Sequence, residues 1–226
     1  MAMASDDGLA RYIQHTLIEV GVTADEITGH CEQAIKYGFN AAMVPGIWVA
    51  LAKRVLNGTS VKVASAVDFP LGMMSTAGKV VEARALAAAG ADELDIGVRT
   101  GHLRSGRFDD YRDDIAAVVA AVDVPVKVML ELPLLSPDLR RRAVDLAVGA
   151  GAAWLKNASA GSVGRATPED ISFLRECAPP EVHIKASGGI VTAEQMRKLL
   201  VAGADLVGTS AGLAIIGAEP RAVVSY

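Results

Sequence analysis

The chain has 226 residues and a mass of 23.4 kDa, more than a typical domain of about 150 residues but within the roughly 200 to 250 of an α/β barrel, so one domain over residues 1–226 is expected. Hydrophobic residues make up 51%, which excludes an intrinsically disordered chain, and with 4% aromatic the core must be aliphatic. The 22 Lys+Arg against 26 Asp+Glu give a net charge of -4 with no basic run or arginine–aromatic stripe, which argues against a nucleic-acid partner.

In chain order, residues 1–8 hold two aspartates and no apolar stretch, so no secretory leader is expected there. Eight apolar runs follow, at 14–18, 40–44, 61–68, 93–97, 125–131, 153–157, 182–187 and 205–208. Helical segments lie between them, clearest at 76–89 and 136–149, each opening on a capping residue and carrying aliphatics at helical spacing. A junction recurs in which an alanine-rich helical stretch ends at Gly38, Gly90, Gly151 or Gly203 and an apolar run begins. The spacings of 52, 61 and 52 residues each hold two βα units of roughly 25 to 30 residues. Eight such alternations are what a (β/α)8 barrel needs, and a single-domain TIM barrel is the expected fold. An open doubly wound sheet is the runner-up, but no glycine-rich fingerprint follows its first strand.

The longest uncharged runs, such as 39–52, are about 14 residues, short of the 18 or more of a membrane span. Cys31 and Cys177 lack C-x-x-C spacing and read as reduced thiols, so a soluble cytoplasmic protein with no membrane partner is expected.

A buried strand should be aliphatic, which makes charge on these runs informative. Asp68, Asp95, Glu131, Lys156 and Lys185 fall toward the C-terminal ends of different runs, the ends that form the mouth of a barrel. Period two puts Lys185 and Ser187 on one face, and Lys127 and Glu131 on another, both pointing inward. A lysine inside a barrel needs a partner or a lowered pKa, because burial and a neighbouring cation each disfavour the ammonium. Two lysines among carboxylates therefore point to amine chemistry, with one neutral lysine attacking a carbonyl and the other acting as its charge and proton-transfer partner.

Beyond Lys185, Gly188 and Gly189 let backbone N–H groups approach a ligand, and Thr192 with Gln195 fits a capping box. The last run ends in Gly208-Thr209-Ser210-Ala211-Gly212, so the loops after strands 7 and 8 read as a phosphate cradle that includes Ser187 and Ser210. That pentapeptide also matches a nucleophile elbow, but no histidine follows His183 to complete a hydrolase triad. His15, His30, His102 and His183 show no metal-ligand spacing, so no metal site or cofactor is expected, and Trp48 and Trp154 read as core residues.

Together, His15-Thr16-Leu17, Asp68-Phe69-Pro70-Leu71-Gly72, Ala91-Asp92-Glu93-Leu94-Asp95, Val126-Lys127-Val128-Met129-Leu130-Glu131, Leu155-Lys156, Ala166-Thr167-Pro168-Glu169, Ile184-Lys185-Ala186-Ser187-Gly188-Gly189-Ile190 and Gly208-Thr209-Ser210 resemble the deoxyribose-phosphate aldolase family. The resemblance spans nearly the whole chain. It implies a metal-free class I aldolase that reversibly joins acetaldehyde and glyceraldehyde 3-phosphate. By position it implies Lys156 as the Schiff-base lysine, Lys185 as the lysine that perturbs it and Asp95 as the proton-relay carboxylate, with Lys127, Glu131 and Asp68 supporting. A cytoplasmic homodimer of carbohydrate catabolism is the matching expectation.

The chain departs from that pattern at Gln14, Met43, Arg99, Leu132, Asn157, Ala158, Ala160 and Ala211. The departures lead to the expectation that carbon–carbon chemistry is retained while the acceptor differs, with Arg99 or Arg165 as a replacement anion contact. The alternatives are a paralogue with a different anionic substrate, a non-catalytic barrel that binds a phosphometabolite, and a phosphosugar isomerase or epimerase. The last would need a carboxylate or histidine base and no imine.

Overall fold

The computed structural model describes residues 8–218, so residues 1–7 of the segment read as leader-free, and both ends of the expected domain, lie outside the described residues. Eight parallel strands close into a barrel in sequence order. They are β1 (Ile13–Thr16), β2 (Ala41–Met43), β3 (Lys62–Val67), β4 (Glu93–Gly97), β5 (Val126–Met129), β6 (Trp154–Lys156), β7 (His183–Ser187) and β8 (Leu206–Thr209), each on one of the eight apolar runs. The barrel closes where β8 pairs with β1, setting Val207 opposite Ile13 and Gly208 opposite Gln14.

The connections are helical: α1 (Ala24–Tyr37), α2 (Val49–Val55), α3 (Thr76–Ala89), α4 (Thr100–Arg104), α5 (Phe108–Val119), α6 (Pro137–Gly149), α7 (Pro168–Cys177), α8 (Ala193–Val201) and α9 (Gly212–Ile215). Their starts follow from local chemistry. Thr23 and Glu26 form a capping box on α1, Thr192 and Gln195 one on α8, and Thr167 caps α7, whose first residue is Pro168. The cap of α3 is Ser75 rather than Thr76, and Ser136 occupies the cap position of α6 without a side-chain bond to its first turn. At the four glycine junctions φ is positive, between 68° and 109°, a conformation that a Cβ would penalise.

Strand alternation divides the molecule into two layers. The outward residues, among them Val63, Leu94, Ile96, Val128, Leu155, Ile184 and Val207, pack against Ile27 and Ala34 of α1, Leu86 of α3, Ile115 of α5, Val144 of α6, Ile171 of α7 and Met196 of α8. That layer is the continuous apolar core. Inside the barrel the buried apolar cluster is small, consisting of Ala41, Met43 and Ala64. Barrels of this kind are usually filled by branched aliphatics, so an interior given over to polar residues marks the place where function sits.

Candidate active site

Asp95 stands on the inner face of β4 and is completely buried. Neighbouring β6 and β7 place Lys156 and Lys185 in direct register with each other. Both ammonium nitrogens converge on one oxygen, with Lys156 Nζ 2.9 Å and Lys185 Nζ 2.7 Å from Asp95 Oδ2. Burial alone would raise the pKa of Asp95, but the charges of Lys185 and Lys156 outweigh it and hold the carboxyl below its ordinary value. Lys185 is pushed down to about 8, mainly by burial and further by the Lys156 charge, with Asp95 opposing the shift.

Beneath this cluster a second one fills the barrel. Lys127 is ion-paired with Glu93 and lies 3.9 Å from Asp95 Oδ1, its ammonium 5.3 Å from the centre of the Trp154 ring. Burial and then the charges of Lys185, Lys62 and Lys156 drive the Lys127 pKa far below its usual value. Gln14 Nε2 donates to Glu93 Oε2 at 3.2 Å, and Lys62 reaches Glu93 Oε1 at 3.3 Å. Trp154 is therefore half-buried against a polar interior rather than in the apolar core, whereas Trp48 does pack on that core.

Above the lysine pair the barrel opens into a cavity of about 250 Å³. Lys156, Lys185 and Ser187 line its floor, and Gly188, Gly189 and Ser210 line its wall at the ends of β7 and β8. Asn157 braces that wall, accepting from Ser187 N–H at 2.8 Å and donating from Nδ2 to Ser187 O at 3.0 Å. The two predicted lysines and the predicted anion-binding residues are thus brought together around one cavity, with Asp95 buried behind the lysines.

Two of the five charged strand ends behave differently from the expectation. Asp68 turns out of the barrel. Its carboxylate accepts from the Met73 and Met74 N–H groups at 3.2 and 2.9 Å and lies 3.3 Å from Lys79, a completely buried lysine paired with Asp114 at 2.7 Å. Glu131 does not share the strand face of Lys127, because β5 ends at Met129 and Glu131 adopts φ 55°. It accepts the Ser159 N–H at 3.1 Å, tying the β5 and β6 ends together, and burial raises its pKa against the pull of that bond and of Lys156.

Of the departures, Met43 and Ala160 line the cavity. Arg99 does not, since its guanidinium is engaged by Asp114 Oδ1 at 3.2 Å and by the Met74 carbonyl, which removes it as an anion contact. Leu132 belongs to the apolar core, Ala158 is buried, and Ala211 lies off the cavity. Sequence reasoning passed over Glu93 as a site residue, although it precedes Asp95 by two positions and so shares its inward face. The Lys79–Asp114 pair left no signal, because a lysine on a helix ordinarily reads as solvated. Among the described residues there is no cluster of three or more His, Cys, Asp or Glu that could hold a metal, no helix is long and apolar enough to cross a membrane, and Cys31 and Cys177 are free thiols.

A barrel that opens on two lysines sharing one carboxylate, beneath glycine-rich strand ends, is equipped for amine chemistry on a carbonyl compound, the chemistry that suits a lyase of the aldolase type. No family model matches the chain. Three relatives named deoxyribose-phosphate aldolase are similar over nearly their whole length. One from Geobacillus sp. is 38% identical over 93% of this chain and 96% of its own. One from Alkaliphilus oremlandii is 39% identical over 96% and 99%, and one from Thermococcus gammatolerans 40% over 92% and 95%. Among solved structures, the tetrameric deoxyribose phosphate aldolase from Aeropyrum pernix superposes with a TM-score of 0.85 at 30% identity, covering 92% of this chain and 89% of that one. An aldolase named QR15 gives a TM-score of 0.88 at 29% identity, covering 93% and 95%. The chain belongs to the deoxyribose-phosphate aldolase family, and it is a lyase.

Proposed function

We propose that the protein cleaves 2-deoxyribose 5-phosphate reversibly into acetaldehyde and glyceraldehyde 3-phosphate through an imine on Lys156. The observation that carries this reading is the convergence of Lys156 and Lys185 on Asp95 Oδ2 at the floor of the cavity. Lys156, the more exposed of the two at 4% against 1%, adds its amine to the C1 aldehyde, and loss of water gives the iminium. A base removes the C3 hydroxyl proton as the C2–C3 bond breaks. The bonding pair moves to C2 and neutralises the iminium as an enamine, and glyceraldehyde 3-phosphate departs. Protonation at C2 restores the iminium, and water hydrolyses it to acetaldehyde and free lysine. Lys185, with a pKa near 8, and Asp95 exchange protons with these intermediates, while the Gly188, Gly189 and Ser210 wall receives the phosphate end.

The departures that argued for another acceptor lie mostly off the cavity, which favours the phosphorylated sugar over a different substrate. Release of acetaldehyde from deoxyribose 5-phosphate, followed with an alcohol dehydrogenase, tests the reading. Turnover lost in Lys156→Ala is expected, and turnover retained there would overturn it. The reading extends to a cytoplasmic protein of carbohydrate catabolism that forms a homodimer, and for the dimer alone the exposed Leu71, Met73 and Val81 are supporting surface residues. Light scattering on the purified protein measures that assembly.

A further inference from the structure

The cavity above the lysine pair has no carboxylate in its lining, and its cations are Lys156, Lys185 and Arg165. The two lysines are committed to Asp95. Arg165 is different. Arg99, Arg140 and Arg175 each meet an aspartate, but no hydrogen bond or ion pair engages the Arg165 guanidinium among the described residues.

Its position is nevertheless constrained from three sides. A Cβ at Gly164 would collide with Pro133, one at Gly188 with the Gly164 carbonyl oxygen, and one at Gly189 would sit 2.9 Å from Arg165 Cγ. Ala166 N–H donates to the Gly188 carbonyl at 2.9 Å, pinning the segment to the end of β7. The arginine stem thus lies across Gly189, the residue whose backbone faces the cavity, and its planar donor fork stands at the rim with no partner of its own.

We infer that Arg165 is a specificity-determining residue that reads the terminal phosphate of the substrate from the rim of the cavity. The inference rests on the aldolase reading for the identity of the substrate, but the binding of an anion by Arg165 stands apart from it. A bidentate guanidinium favours a phosphate over an uncharged hydroxymethyl end, so the residue sorts phosphorylated from free sugars without touching the reacting carbons.

The test pairs Arg165→Ala and Arg165→Lys with deoxyribose 5-phosphate, free deoxyribose and inorganic phosphate. Arg165→Ala should raise KM for deoxyribose 5-phosphate about tenfold to a hundredfold, the loss expected for charge-assisted bonds, with kcat little changed. Its kcat/KM for free deoxyribose should equal that of the wild type, and Arg165→Lys should recover part of the lost affinity. Calorimetric titration with inorganic phosphate should weaken by a similar factor in Arg165→Ala. This arm reads the anion contact even if the protein cleaves a different sugar. Equal losses on both sugars, or phosphate binding and KM unchanged in Arg165→Ala, would overturn the inference. Absent turnover with phosphate binding that still depends on Arg165 would count against the proposed reaction alone.

Discussion

The two faces of the same eight strands have opposite chemistry. Outward, Leu94, Ile96, Val128 and Leu155 join an apolar layer shared with the helices. Inward, and one residue away along the same strands, stand Glu93, Asp95, Lys127 and Lys156. The outer face is stabilised by burial of aliphatic surface, and the inner face holds only because its charges arrive in pairs. The strand pleat therefore divides the roles in one direction: outward substitutions should lower stability and spare the reaction, whereas inward ones should remove the reaction and also leave a buried charge without its partner.

The largest effects should come from the inner face. Asp95→Asn and Lys185→Leu should each lower kcat by about 10² to 10⁴, the contribution of a positioned proton-transfer group, while thermal unfolding remains cooperative. Because both serve one unit, the double variant should be little worse than either single one, and additive losses would assign them to different steps. The reverse experiment is Ile96→Ala. Emptying that fully buried site should cost about 2 to 5 kcal/mol in denaturant unfolding and leave kcat/KM unchanged below the melting range.

A smaller effect sits between the layers, where His15 and His30 stack at 4.2 Å on the outer side of the barrel. Burial and then the His15 charge push His30 down to about 3, below its unfolded value near 6.5. The unfolded chain then binds more protons as pH falls. This stabilisation is complete above about pH 6.5 and is lost progressively toward pH 3, on the order of 2 kcal/mol by pH 5. Urea unfolding at pH 7 and pH 5, on wild type and His30→Gln, measures it, and the variant should show the flatter dependence. The smallest effect is on activity: with Lys185 acting as a base with a pKa near 8, kcat/KM should rise about fivefold from pH 7 to pH 8, nearly double again by about pH 9 and then level off. A profile flat through that range would remove Lys185 from the role of base.

The barrel was legible in the sequence because its two carriers, period-two strands and glycines at positive φ, are local. Gly38, Gly90, Gly151 and Gly203 mark helix ends whatever the rest of the chain does. The lysine pair was legible for the same reason, since Lys156 and Lys185 lie within strands where alternation fixes the inward direction. Asp68 and Glu131 were misplaced together, and they share one property: among the described residues they are the two non-glycine positions with positive φ, 53° and 55°. Alternation stops at such a residue, and the side chain leaves the face that its number assigns to it. Arg99 was misjudged because its partner, Asp114, lies on α5 and is brought to it only by the tertiary fold.

The proposed reaction turns on Lys156 becoming covalently bound to the substrate. Borohydride reduction in the presence of acetaldehyde, followed by peptide mass analysis, tests it most directly. Reduction should leave an added ethyl group on the peptide carrying Lys156, absent without aldehyde and absent in Lys156→Ala. An adduct on Lys185 in the wild type, or one that persists in Lys156→Ala, would contradict it.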